Sequence, residues 1–334
     1  MISIQQFVTP ASARRLATSV FTAAAVLSLT APLRAQTATI RIGHFPNITH
    51  VQALVAHALS RANKGWFEQG LGPGVKIEWY VYNAGPSAME AVFAKSIDLT
   101  YVGPNPAINA YAKSRGEEVR IVAGAADGGS ALVVQGDSTL KTPADFRGKK
   151  IATPQFGNTQ DVAARAWLVA GGLAIRQSGG DAQVLPAANP DQLSLFQQKQ
   201  VDAVWTVEPW VSRLELEAKG RVLIDDRSAI TTVLVARADY LRSQRELVRK
   251  IVAAHAELTD WIKLNPAEAQ KLAAAELLAE TRATMSQQLI ERSWARIVLT
   301  SSVSREALTQ FFNSAQAAGF LRDTPDLSRL VEKP

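Results

Sequence analysis

The chain has 334 residues, 36 of them basic and 30 acidic, with 47 % hydrophobic residues and no cysteine. This length suits two domains better than one, and the composition is that of a globular protein. The absence of cysteine excludes disulfide frameworks, iron–sulfur clusters, thiolate zinc sites and thiol catalysis.

At the N-terminus, Arg14 and Arg15 precede an apolar, small-residue run from Leu16 to Leu33, and Ala35 follows as a small residue at a cleavage point. This pattern predicts a signal peptide over residues 1–35. The run is interrupted by Thr18, Ser19, Thr22, Ser28, Thr30 and Pro32, which makes it a poor permanent membrane span. Its removal takes away Arg14, Arg15 and Arg34 and no acid, so 33 basic and 30 acidic residues remain. The basic character of the whole chain therefore says little about partners. No basic stripe interleaved with aromatics is present, and nucleic-acid binding gains no support. The expectation is an exported periplasmic protein.

The remaining chain alternates strands and helices. Strands are predicted at Ile40–Phe45, Val75–Asn83, Leu99–Val102 and Val119–Ala123, with helices at Thr49–Asn63, Ser87–Lys95 and Pro106–Lys113. A second series comes next: strands at Ala131–Gln135, Lys149–Thr153, Gln183–Leu185, Ala203–Thr206 and Thr231–Arg237, with helices at Thr159–Ala170 and Asp191–Gln198. From Ser243 onward the pattern is helical. Strands alternating with helices predict an α/β fold with mostly parallel sheets. Gly124–Ser130 and Asp225–Thr232 read as crossings between two lobes. The predicted division is lobe I at 36–126 plus 233–334 and lobe II at 127–232.

The loops that leave the strands are the most informative feature. Asn47 and Thr49 can cap a helix after Phe45, and Ser87 and Glu90 have the spacing of a capping box. Asn105 precedes Pro106, a residue suited to a first helical position. Asn158 and Thr159 open another helix. Ligands of open α/β sheets bind beyond the carboxyl ends of the strands, where helix N-termini present unpaired N–H groups. Four such loops without Lys or Arg predict an anion site that uses dipoles and neutral donors.

These segments resemble the periplasmic substrate-binding proteins of nitrate, sulfonate and taurine ABC importers, the aliphatic-sulfonate-binding type above all. The matching stretches run in family order: Ile42 to His50, Asn83 to Glu90, Asp98 to Ala107, Leu140 to Ala152, Gly157 to Asp161, and Val201-Asp202-Ala203 leading to Glu208-Pro209. The resemblance implies the type II two-lobe fold of periplasmic binding proteins, two sheets joined by two crossing strands with the ligand between. It implies a small organic anion, an alkyl or aryl sulfonate or a taurine-like aminosulfonate, delivered to an ABC permease with its ATPase. A monomer without cofactor, catalytic residue or bound metal is expected. By the same analogy Asn47, Ser87, Asn105, Asn158 and Thr159 would meet the head group. Tyr101, Trp205 and Trp210, with Phe45 behind them, would hold the organic part. Glu208 would either accept the ammonium of an aminosulfonate or pair with an internal arginine.

Other chemistries fare worse. The four histidines lack zinc-ligand spacings, and His50 and His57 lie two helical turns apart. His44, at a strand end, could line the cleft or pack locally. Gly128-Gly129-Ser130 has no ordered acid and histidine partners for a hydrolase and reads better as a hinge. The alternatives are an extracytoplasmic hydrolase and a binding protein for nitrate, a phosphonate or a pyrimidine precursor.

Overall fold

A computed structural model describes residues 38–177, 179–322 and 325–334; the predicted signal peptide lies outside the described residues. Six strands build the first sheet: β1 (Ala38–His44), β2 (Val75–Val81), β3 (Leu99–Val102), β4 (Val119–Gly128), β10 (Ile230–Arg237) and β11 (Ile297–Leu299). They lie in the order β11-β4-β10-β3-β1-β2. The second sheet holds β5 (Ser130–Val134), β6 (Lys150–Thr153), β7 (Gln183–Pro186), β8 (Ala203–Val207) and β9 (Arg221–Asp225), in the order β7-β6-β8-β5-β9. Strands joined through helices pair parallel, as β1 does with β2 and β3, and β6 with β7 and β8. The strands that carry the chain between sheets, β4, β10, β5 and β9, pair antiparallel with their neighbours.

The helices of the first sheet are α1 (Val51–Arg61), α2 (Trp66–Leu71), α3 (Gly85–Phe93) and α4 (Pro104–Lys113). The second sheet carries α5 (Thr159–Ala170), α6 (Asn189–Gln197) and α7 (Trp210–Ala218). The C-terminal part adds α8 (Ala238–Ser243), α9 (Arg245–Leu264), α10 (Pro266–Thr281), α11 (Gln287–Trp294) and α12 (Arg305–Ala317). β10 is buried at every position and β1 from Ile42 to His44, as befits strands covered by helices on each side. Two hydrophobic clusters flank the first sheet, around Leu54 and Leu258 and around Ile108 and Phe312. Two smaller ones flank the second, around Phe146 and Leu168 and around Phe196 and Leu214.

The chain changes sheets at Gly129, between β4 and β5, and returns at 226–229, between β9 and β10. Gly128 and Gly129 both have positive φ, 68° and 69°. A Cβ on Gly129 would meet Ile297 Cγ2 at 2.7 Å, and one on Gly128 would meet the Arg296 carbonyl at 2.6 Å. Glycine is thus required there by both backbone conformation and space.

Candidate functional site

The carboxyl ends of both sheets face a small chamber. Its lining includes Phe45, Asn47, Thr49, His50, Asn83, Gly85 and Gly103 from the first sheet's side, and Asn158, Thr159, Gln160 and Asn189 from the second. The free volume is about 30 Å³. A single water needs roughly 10–15 Å³ on the same measure, so the space suits a compact head group of a few atoms. No charged side chain lines it.

Helix starts shape the chamber. Asn158 caps α5, its Oδ1 accepting the Asp161 N–H at 2.8 Å. The N–H groups of Thr159 and Gln160, in the first turn, then have no intrahelical acceptor. The starts of α3, α4 and α6 also reach the chamber, at Gly85, Gly103 and Asn189.

The buried amide and imidazole acceptors of the lining are already occupied by protein donors, whereas Asn83 Oδ1, on an exposed residue, is not. Asn47 Oδ1 accepts from Trp210 Nε1 at 3.2 Å and from Asn189 Nδ2 at 3.4 Å. Asn189 Oδ1 accepts from Thr206, and Gln160 Oε1 accepts from Asn158 Nδ2. His50 Nδ1 accepts the Phe45 N–H at 3.4 Å. Burial, reinforced by the nearby His44 ring, holds the His50 pKa well below the usual imidazole range. His50 is therefore neutral with its proton on Nε2. The donors left over are Asn47 Nδ2, His50 Nε2 and the hydroxyl of Thr159, whose Oγ1 is buried without any hydrogen-bond partner. With the buried amide and imidazole acceptors consumed and several donors spare, the chamber favours a ligand rich in acceptors.

Beyond this chamber, and sharing Asn47, Asn83 and Asn189 with it, lies a larger cavity of about 390 Å³. Its walls are mostly apolar: Pro46, Pro190, Leu193, Pro209, Trp210, Leu277, Ala283 and Met285, with Arg213 and Thr281. The Arg213 guanidinium lies 5.4 Å from the Trp210 ring centroid.

Of the residues picked from the sequence, Phe45, Asn47, Asn158 and Thr159 line the small chamber and Trp210 lines the larger one. The other five lie elsewhere. Ser87 forms no capping box, because α3 begins two residues earlier with Ala84 as its cap; the Ser87 hydroxyl donates back to the Ala84 carbonyl. Asn105 sits inside α4, capped by Gly103, and spends its amide on the Phe311 carbonyl at 3.0 Å. Tyr101 is fully buried in the first lobe's core, hydrogen-bonded to His255. Trp205 lines a small cavity that shares Thr159, Gln160 and Thr231 with the chamber, and it meets Trp167 edge-on. Glu208 is buried against Ser212 and Arg296, which realises the internal-arginine alternative and not contact with a ligand. His44 packs behind the chamber, and the sequence reading missed His50, Asn83, Gln160 and Asn189. For Asn189 a signal existed: Asn189-Pro190 comes after a strand just as Asn105-Pro106 does.

The profile of the NMT1-like family matches residues 34–279. A Brucella abortus protein provisionally named a binding protein is 24% identical over 278 residues, covering 79% of this chain and 81% of that one. An Escherichia coli protein provisionally named an aliphatic sulfonates-binding protein is 29% identical over 193 residues, 55% of this chain and 57% of its own. The alkanesulfonate-binding protein SsuA from Xanthomonas axonopodis pv. citri, solved bound to MOPS, superposes with a TM-score of 0.72 at 22% identity. That match covers 89% of this chain and 99% of SsuA. The chain belongs to the NMT1-like family and has the two-lobe fold of periplasmic binding proteins.

Proposed function

We propose that this protein is an extracytoplasmic solute-binding protein that captures an organic sulfonate between its lobes and hands it to an ABC importer. The observation that carries the reading is the hydrogen-bond balance of the small chamber: spare donors, occupied buried amide acceptors and no charged residue. A sulfonate near neutral pH is fully ionised and offers only acceptors. A phosphonate or phosphate monoester can retain a proton, which would need a free acceptor in a dry site. The organic part of the sulfonate extends into the apolar cavity against Trp210, Leu277 and Met285. Polar contacts already span the two sides, Asn47 to Asn189 and Asn83 to the Pro154 carbonyl, so a head group among them holds the lobes shut.

Glu208 is unavailable to an ammonium, and the apolar cavity offers no carboxylate. Taurine therefore has no partner for its amine, and simple alkyl and aryl sulfonates are the preferred ligands. The names of the relatives support the sulfonate class. The experiment is a thermal-shift and calorimetric panel of MOPS, an alkyl sulfonate, an aryl sulfonate, taurine, a phosphonate, nitrate and an aminopyrimidine, since a ligand of the folded state raises apparent stability. Stabilisation by the first three above the rest is expected. Stabilisation by phosphonate or nitrate alone would refute the ligand class.

A further inference from the structure

Behind the chamber, away from the ligand, three side chains converge that the binding reading does not use. His44 ends β1, His57 lies on α1 and Glu280 lies on α10. His44 Nε2 is 2.9 Å from Glu280 Oε1, His57 Nδ1 is 3.0 Å from the same oxygen, and the two nitrogens are 3.3 Å apart. We infer that His44 Nε2, His57 Nδ1 and the Glu280 carboxylate form a divalent-metal site suited to zinc.

Protons alone serve this triangle poorly. The His44 ring lies with Nδ1 3.3 Å from the Phe45 carbonyl. A proton on Nδ1 satisfies that carbonyl and leaves a lone pair on Nε2, facing an acceptor oxygen. This backbone-carbonyl contact is the usual way a ligating histidine is oriented. Glu276, the other carboxylate nearby, is engaged by the fork of Arg61 at 2.6 and 3.1 Å. Among the described residues Glu280 has no arginine or lysine bonded to it, only the two imidazoles, and His57 Nδ1 also lies 2.9 Å from Glu276 Oε1. The Glu280 side chain is 3% exposed, and its Oε2 has no hydrogen-bond partner.

A metal resolves each of these. Ligands roughly 2.0–2.2 Å from a tetrahedral zinc stand about 3.3 Å or a little more apart, so the triangle opens by only a few tenths of an ångström. The two imidazoles and one carboxylate match zinc's ligand preferences better than those of magnesium or calcium, which favour all-oxygen shells. Three protein ligands leave a fourth position open. The His57 side chain, 14% exposed, provides the way in. On loading, the metal takes the place of the proton between His57 Nδ1 and the carboxylates, and the ring takes up a proton at Nε2, so the imidazole stays neutral and no net proton is released. His57 Nε2 then becomes a donor, and Arg61, now 3.2 Å from it, keeps its bonds to Glu276 and draws away. Leu277 and Thr281, next to the two glutamates on α10, face the apolar cavity. The metal would therefore pin one wall of the ligand site.

The test uses tag-free, chelator-stripped protein titrated with Zn2+ against a chromophoric competitor. One zinc per chain is expected. Glu280→Gln and His57→Ala, checked for folding by circular dichroism, should each weaken binding at least 100-fold. Co2+ added to the unaltered protein provides an arm independent of the variants, and intense visible bands of a four-coordinate ion are expected. No stoichiometric zinc, a weak six-coordinate Co2+ spectrum, or undiminished affinity in both folded variants would overturn the proposal. These readouts need no sulfonate, so the ligand reading could fail without touching the metal site, and the reverse holds as well.

Discussion

Glu208, at the end of β8, accepts a hydrogen bond from Arg296 at 3.0 Å across the junction between the two sheets. Its carboxylate also takes the Ser212 N–H and hydroxyl, at 3.1 and 2.9 Å. Burial raises the Glu208 pKa against the opposing pull of Arg296 and Ser212. Arg296 meanwhile reaches Glu215 at 2.7 Å. The group thus ties the second lobe to the segment leading into β11 and leaves nothing to offer a ligand.

Arg296→Met should therefore leave Glu208 buried without its cation. Breaking a buried pair from one side costs about 3–5 kcal/mol. Urea unfolding should register a loss of that order, while the ranking of sulfonates in a binding panel stays the same. An unchanged unfolding midpoint together with an altered taurine preference would return Glu208 to the ligand site.

Tyr101 donates to His255 Nδ1 at 2.9 Å, and His255 Nε2 donates to the Gly124 carbonyl on β4 at 2.7 Å. Burial drives the His255 pKa down from its ordinary 6.5 to about 4. Between those values the unfolded chain binds more protons than the native one, so stability falls as pH drops from about 6.5 towards 4 and is complete above that window. His255→Gln should flatten this slope in unfolding experiments across the window. Tyr101→Phe, which strands the Nδ1 acceptor, should cost about 1–3 kcal/mol at pH 7. A pH slope that stays the same with the histidine replaced would contradict the buried neutral assignment.

The strand–helix alternation was legible because each β-branched run ends in a Gly, Pro or Asn segment; β3 and α5 fall on the residues expected. The short β9 and β11, and α7 with its start at Trp210, carried too little periodicity to find. Ser87 and Asn105 illustrate why the site was less legible than the fold. Capping residue types do not fix the cap: proline at the second position of α3, and at the first and third of α4, moved both helix starts upstream, onto Ala84 and Gly103. Sequence spacing told against metal binding by the histidines, and for His44 and His57 it misleads for a different reason. They come from separate elements, and only the parallel β1–β2 sheet with α1 packed on α10 brings them together with Glu280.

Trp210 both walls the larger cavity and donates to Asn47. Trp210→Ala should weaken an aryl sulfonate about 10- to 150-fold, in keeping with the ~1.5–3 kcal/mol of burying a large apolar group. Trp210→Phe keeps the apolar wall and loses only the indole donor, so it should affect methanesulfonate and the aryl sulfonate equally. Equal losses for both ligands in the alanine variant would remove the organic part of the ligand from this cavity.

The central claim, recognition of a sulfonate by spare neutral donors, rests most directly on Thr159. Its hydroxyl is buried and unpartnered in the free protein, so Thr159→Val removes an unsatisfied group and should leave stability unchanged or slightly raised. The same change deletes a hydrogen bond to a charged ligand, worth about 1.5–3 kcal/mol, or roughly 10- to 150-fold in affinity. Titration calorimetry of wild type and Thr159→Val with an alkyl sulfonate at pH 7 measures this. The account predicts clear binding to wild type, a loss in that range for the variant, and no loss of thermal stability. Wild-type affinity in the variant, or no sulfonate binding to either protein, would contradict it.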